Sequence, residues 1–326
     1  MLLQHTAARS CRSRLKSALK ALIVTNMWPS AANPASGIFV SDQVNSLRSA
    51  GVDVDVFSFQ GGTPGAYAAA AARLARKRGE RWDVVHSHFG LSAWVGRAAR
   101  AQVHAVTFHG TDLAHQRSRR ISLAALRFTD LAAAVSEELA ESIPPSRSRW
   151  PIEVLPCGVS LDRFVPSAKA DARAELGMSP TERIVLLPSD PSRPEKHSDR
   201  ATAVATAVGA RLISLVNVAP NDVALRIQAA DLVLIPSERE GFGLALLEAL
   251  ACETPVLSTP VGIAQEATKG VVGARGLNWD LASWTEAATE LLELKETTGG
   301  RISAQRWSSD ACAETVISAW NRALAR

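Results

Sequence analysis

The sequence predicts an α/β protein made of two doubly wound parallel-sheet domains, and three observations carry that expectation. Its 326 residues exceed one typical domain. Apolar residues make up 47% of the chain, enough for two cores, while aromatic residues make up 5%, so the packing rests on Leu, Val, Ile and Ala. Short apolar runs of strand length alternate with helical stretches throughout, the pattern of a parallel sheet covered by helices.

Taken in order, Leu22–Thr25 reads as a strand, residues 26–36 as a loop rich in Pro, Asn and Ala, and Gly37 as the opening of a helix that runs to about Ala50. Val52–Phe59 alternates with period two and carries Asp53 and Asp55 on one strand face. An Ala- and Arg-rich helix follows at Tyr67–Arg78, then a strand at Trp82–His86, with His86 and His88 read as loop-lining or structural, and a helix from about Ser92 to Arg100. Val103–Phe108 is a strand ending in His109-Gly110-Thr111-Asp112. Polar groups at the carboxyl end of a parallel strand point into the crevice where doubly wound sheets bind ligands. The stretch His115–Arg127 sets Arg117, Arg119, Arg120 and Arg127 among apolar residues, a basic amphipathic helix. Leu131–Val135 is a strand, Ser136 an N-cap, and Pro144-Pro145 a helix breaker. Ile152–Leu155 leads into Cys157, a small buried residue, and to a linker near Pro166–Ala170.

The second half repeats the alternation with strands at Ile184–Leu187, Leu212–Val216, Leu232–Ile235 and Val256–Ser258. Helices are expected from about Lys196, from about Asn221 and after Gly243, with a terminal helix Ser309–Leu324 behind Trp307. The expected domains are 21–165 and 166–307, with 308–326 completing the first.

Charge excludes less than it suggests. The net +4 comes from Arg9, Arg12, Arg14, Lys16 and Lys20, without which 31 basic residues face 32 acidic ones, so a nucleic-acid partner is not indicated. Residues 1–20 are read as a disordered tail, and the apolar run Ala21–Val24 is too short for a signal peptide. No run approaches the roughly 20 apolar residues that span a bilayer. Cys11, Cys157, Cys252 and Cys312 are widely spaced, which suits neither zinc nor a disulfide framework, and places the chain in the cytoplasm.

The most informative stretch runs from Pro236 to Pro260, P-S-E-R-E-G-F-G-L-A-L-L-E-A-L-A-C-E-T-P-V-L-S-T-P. Glu240 and Glu248 lie on either side of a Gly241-Phe242-Gly243 turn that opens an apolar helix at Leu244. Glycines let backbone approach a ligand, and the free N–H groups of a first helical turn favour an anion. Carboxylates beside a phosphate commonly hold hydroxyls, as on a ribose. Arg193 and Lys196 follow the strand Ile184–Leu187 in another strand-to-helix crevice, placed to neutralise a departing diphosphate.

E-G-F-G-L-A-L-L-E and the A-L-A-C-E-T-P-V-L-S-T-P-V-G after it resemble the Glu-x7-Glu signature of retaining glycosyltransferases of family 4, which have the GT-B fold of two Rossmann-like domains facing a central cleft. The chain departs from the pattern at Glu253, where Gly is usual, at Ile263 and Ala264, and at Cys157, where Asn is frequent. The resemblance implies catalytic roles for His109, Glu240, Arg193 and Lys196, and donor binding through Gly37, Gly241, Phe242, Gly243, Leu244 and Glu248. T-F-H-G-T-D-L is similar to the segment whose His lies near the transferred sugar, and Gly37 is either a donor-side glycine or a helix cap. No metal and no cofactor are expected, and Asp53 and Asp55 are read as a solvated strand face.

The expected function is metal-independent, retaining transfer of a sugar from a UDP- or GDP-sugar to a glycan, glycolipid or small hydroxyl acceptor. The basic tail and the Arg-rich helix offer a peripheral contact with an anionic membrane. A non-catalytic nucleotide-sugar-binding subunit and a GT-B epimerase are the alternatives.

Overall fold

The computed structural model describes residues 19–326 apart from 32, 78, 217 and 295–297. The basic tail short of Leu19, Cys11 among it, and Asn217 lie outside the described residues.

Among the described residues eleven strands form two all-parallel sheets. The first holds β1 (Lys20–Thr25), β2 (Asp53–Ser58), β3 (Trp82–His88), β4 (Ala101–Phe108), β5 (Leu131–Ala134) and β6 (Glu153–Val154), ordered β2-β1-β3-β4-β5-β6. The second holds β7 (Ile184–Leu187), β8 (Arg211–Ser214), β9 (Leu232–Ile235), β10 (Val256–Ser258) and β11 (Ala274–Gly276), ordered β11-β10-β9-β7-β8. Each order reverses once, between β1 and β3 and between β7 and β9. Crevices for ligands open at the carboxyl ends of strands at such reversals.

Strand alternation assigns the cores. Ala21 and Ile23 face one side of β1 and pack with Val40, Val44 and Leu47 of helix Ile38–Ser49 and with Val316 and Trp320 of helix Ser309–Leu324. Leu22 and Val24 face the other side, against Ala70 and Leu74 of helix Pro64–Ala75. In the second sheet Val185 and Leu187 meet helices Ser198–Ala207 and Leu281–Leu292, whereas Leu186 and Val233 meet Pro220–Ala229 and Leu244–Ala251. Wholly buried strands explain the near-continuous apolar runs.

The chain passes between the two sheets twice, side by side. Val159 N–H donates to Trp307 O at 2.8 Å and Ser309 N–H to Val159 O at 2.9 Å, after which the terminal helix returns to the first sheet. Arg163 forks onto Asp42 at 3.2 and 2.5 Å, tying that passage to helix Ile38–Ser49.

Several expectations need correction. β3 runs on to His88, so His86 and His88 are strand residues that lie fully inside, not loop-lining ones. The helix after them is only Ser92–Gly96. The Arg-rich stretch is not one helix but divides into Gln116–Ala124 and a 3-10 turn at Ala125–Phe128, behind a separate short helix at Thr111–Ala114. Asp53 is exposed, but Asp55 is not simply solvated, since its Oδ2 accepts from Trp82 Nε1 at 2.8 Å. Glu253 adopts φ 57°, a left-handed conformation that suits Gly, and its carboxylate accepts from Thr298 Oγ1, from Gly299 N at 2.9 Å and from Arg301 N at 2.7 Å. Those bonds satisfy the start of helix Gly300–Ala304 and offset the backbone strain.

Candidate active site

The two loops at the β7/β9 reversal are joined. Glu238 N–H donates to Glu195 O at 2.9 Å, and Lys196 Nζ reaches Glu240 Oε1 at 2.6 Å. The same oxygen accepts from Ser237 Oγ at 2.7 Å, and both charged side chains are mostly buried, at 12% and 17% exposure. A charge pair held this way is oriented by its surroundings rather than by its own flexibility.

The first domain closes on this edge through His109 and Gly110. A Cβ on Gly241 would stand 2.1 Å from His109 O, so only glycine permits the approach. Ser136, an N-cap as expected, also donates from Oγ to Gly241 O at 3.0 Å. Gly241→Ala is therefore expected to separate the two loops and lower turnover at least tenfold while thermal unfolding shows a folded protein.

A cleft of about 570 Å³ lies here, lined by His109, Gly110, His115, Arg119, Ser136, Arg193, Glu195, Lys196, Arg239, Glu240 and Gly241. Arg193, Lys196, His109, Glu240 and Gly241 are thus brought together from the sequence expectation. Arg193 is the loosest of them, 55% exposed and bound to Glu195 at 2.7 Å. Arg239, directly before Glu240 in the signature stretch, is a residue the sequence expectation omits, and it adds a cation to the cleft.

The other expected residues are placed differently. Phe242 is buried in the core and Leu244, partly exposed, packs against it at the start of the helix. Gly243 takes φ 115° as N-cap, leaving the first N–H groups of helix Leu244–Ala251 without intrahelical partners. Gly37 caps helix Ile38–Ser49 at φ 65°, and a Cβ there would meet Met27 O at 2.2 Å. Two residues on, Phe39 lies against the His109 ring, with centroids 5.0 Å apart. Glu248 is half-buried and is not among the residues lining this cleft; burial pushes its carboxyl up to about 7, Arg163 pulls it down and Asp42 raises it further.

His109 sits at the end of a buried imidazole stack. Ring centroids of His86 and His88 are 4.9 Å apart, and those of His88 and His109 are 5.2 Å apart. Trp320 Nε1, which can only donate, points at His86 Nδ1 at 3.1 Å, so His86 carries its proton on Nε2 and donates it to Thr107 Oγ1 at 2.7 Å. His88 Nδ1 and His109 Nε2 share a hydrogen bond of 3.1 Å, and Cys157 Sγ stands 4.0 Å from His109 Nδ1. Burial drives all three imidazoles below their ordinary pKa, His88 to about 4, so the stack is neutral. Cys157 is buried, and burial pushes its thiol well above the usual range, which removes it as a nucleophile. Asp112, at the end of the His109-Gly110-Thr111-Asp112 segment, is wholly buried and accepts from Gly90, His109 and Gly110 N–H at 2.9, 3.2 and 3.0 Å. Burial still raises its carboxyl to about 6.

Two cationic loops and a glycine-opened helix at one edge, facing a histidine loop across a cleft, match what comparison with known proteins finds. The family described as Glycosyltransferase Family 4 matches residues 36–163, and that described as Glycosyl transferases group 1 matches residues 193–311. The chain belongs to the family 4 glycosyltransferases. It is similar to a D-inositol 3-phosphate glycosyltransferase of Actinosynnema mirum, 28% identical over 76% of this chain and 74% of that protein. Among solved structures, sucrose-phosphate synthase from Thermosynechococcus elongatus superposes with TM-score 0.71 at 21% identity, covering 94% of this chain and 99% of that one. The catalytic domain of starch synthase IV from Arabidopsis thaliana, bound to ADP and acarbose, superposes with TM-score 0.72 at 13% identity, covering 95% and 100%. Both likenesses establish the GT-B fold of this family 4 glycosyltransferase.

Proposed function

We propose that the cleft binds a nucleotide-diphosphate sugar and transfers its sugar to an acceptor hydroxyl with retention of configuration and without a metal. The Lys196–Glu240 pair carries the reading, because it sets a cation and a sugar-binding carboxylate 2.6 Å apart at the edge where a strand order reverses. The diphosphate lies against Lys196, Arg193 and the N–H groups following Gly243, with Arg239 beside them. Glu248 holds the ribose hydroxyls, and Glu240 and His109 face the transferred sugar. The Asp42–Arg163 clamp next to Glu248 orients the two domains around it.

In the reaction the sugar C1–O bond to the diphosphate breaks as the bond from the acceptor oxygen forms, and the acceptor proton passes to the departing phosphate oxygen. The products are the glycoside and the nucleoside diphosphate. Glu240 is committed to Lys196, Asp112 to three backbone N–H groups, and Cys157 is held as a thiol, which favours front-side transfer over a covalent glycosyl-enzyme. Three cations at the diphosphate supply the neutralisation that a metal ion provides elsewhere. The relatives' names, a D-inositol 3-phosphate glycosyltransferase and a sucrose-phosphate synthase, support a small polyhydroxylated or phosphorylated acceptor as one class. A UDP- or GDP-sugar donor and a cytoplasmic place of action complete the proposal; among the described residues no helix is long and apolar enough to cross a membrane.

Proton NMR of the freshly formed product, with and without EDTA, tests stereochemistry and metal use together. The anomeric coupling of the donor should persist and the rate should not change on chelation. An inverted product, or activity abolished by EDTA and restored by magnesium or manganese, would remove the corresponding half of the proposal.

A further inference from the structure

A second hollow, of about 660 Å³, opens on the first domain beside the cleft. Phe89, Leu91, Trp94, Ile121 and Tyr67 line it, and His115 lines both spaces. Trp94 and Ile121 leave 41% and 42% of their surface exposed there, an unusual placement for large apolar side chains. Phe89 holds φ 80°, one of three non-glycine residues at positive φ among the described residues. A strained bulky residue persists only where its surroundings impose it, and such residues cluster at ligand sites.

Most polar groups of this hollow are already spent on the protein, and Arg117 is the one charged side chain among the described lining residues. Asn26 donates from Nδ2 to Tyr67 Oη at 3.2 Å and accepts at Oδ1 from Ser92 Oγ at 3.3 Å. Trp94 Nε1 donates to Ile121 O at 3.1 Å, Thr63 Oγ1 accepts from Ala66 N at 3.3 Å, and Ser118 Oγ donates to His115 O at 3.0 Å. A sugar ring stacked on aromatic side chains also needs hydrogen-bond partners for its hydroxyls, and few remain here. The larger hollow of about 1130 Å³ on the far side of Asn26 differs, since Ser30, Asn33, Ser36, Ser58 and Gln60 line it. A mostly apolar space of this size suits an apolar ligand.

Continuity with the reaction cleft says what that ligand is attached to. Phe89 directly follows His88, whose ring is bonded to His109, and Gly90 N–H is held by the Asp112 carboxylate that also holds His109 and Gly110. We propose that the hollow is an acceptor subsite for an alkyl chain, so that the acceptor is an amphiphile whose hydroxyl end reaches the cleft past His115 while its chain lies against Trp94, Ile121 and Phe89. The proposal rests on the transferase reading for the word acceptor, and on the hollow alone for the chain.

Calorimetric titration of the full chain with n-butyl, n-hexyl and n-octyl β-D-glucoside below micelle formation, alongside UDP and GDP, separates the two. Affinity should rise with chain length, by up to about fourfold per buried methylene. Trp94→Ala and Ile121→Asp, both at exposed positions, should weaken octyl glucoside about tenfold, with nucleotide affinity and thermal unfolding unchanged. Equal affinity for butyl and octyl glucoside, or equal affinity in wild type and both variants, overturns the chain subsite and leaves sugar stacking or no site at all. A preserved chain-length series with neither nucleotide bound would instead count against the transferase reading.

Discussion

Lys196→Ala is expected to lower kcat for sugar transfer by about 10²–10³, the loss usual for one preorganised group that stabilises developing charge. Lys196 is mostly buried, bonded to Glu240, and tied into a loop whose backbone is fixed to Glu238. Its removal also leaves the Glu240 carboxylate with Ser237 Oγ as its remaining hydrogen-bond donor among the described residues. The substitution thus takes away the diphosphate cation and loosens the sugar-side carboxylate together. Because one interaction is shared, adding Glu240→Ala to Lys196→Ala should cost much less than the product of the single effects. Steady-state rates for the two singles and the double, with thermal unfolding as a control for folding, give the comparison. Unchanged turnover in a folded Lys196→Ala protein would remove this pair from the site.

Glu248→Gln is expected to act in opposite directions on stability and on donor binding. The Glu248 carboxyl titrates near 7 in the folded protein and at 4.5 in its reference state, with burial as the main cause. Between those values the folded protein keeps a proton that the unfolded chain has released, so this group makes stability fall as pH rises, with the full cost reached above about pH 7. That cost amounts to roughly 1–3 kcal/mol once partial solvation is allowed for. Glutamine carries no such charge. The variant should therefore unfold at a higher temperature than wild type at pH 8, with the difference shrinking towards pH 4.5. Nucleotide-sugar affinity should fall about 10- to 100-fold at the same time, through loss of a charged acceptor for ribose hydroxyls. A variant that is no more stable at pH 8 would show Glu248 to be well paired in the free protein, and undiminished affinity would exclude it from the donor site.

These residues differ in how far the sequence exposes them. Glu240, Gly241 and Lys196 were legible because each follows a short apolar run closed by Pro or Ser, so that strand ends, where function concentrates, were visible as composition breaks. Helix Ser309–Leu324 was read to the residue because its apolar positions recur at helical spacing over sixteen residues. β11 is not legible in the sequence because three residues, Ala274–Gly276, carry no periodicity, and its pairing with β10 is a long-range fact. The strand order is likewise set by which helix covers which face, so the two reversals that gather the loops could not be read locally.

Burial explains the remaining differences. The sequence leaves His-x-His as a structural or loop-lining pair at a strand end; pairing of β3 with β1 and β4 through His88 carries both rings inside, where Thr107 and Trp320, from distant segments, complete the bonds of His86. Phe242 is expected in the ligand loop because of its neighbours, and its side chain is buried in the second core. The departure at Glu253 has its explanation in Thr298, Gly299 and Arg301, more than forty residues away.

The central claim is that a nucleotide diphosphate sits between Lys196 and the start of helix Leu244–Ala251. Calorimetric binding of UDP, GDP, ADP and TDP to wild type, Lys196→Ala and Glu248→Gln in the presence of EDTA measures it most directly. The account expects one nucleotide to bind wild type clearly better than the other three, and both variants to bind it at least about tenfold more weakly. Binding of equal strength in all three proteins, or no binding of any nucleotide to the wild type, would contradict it.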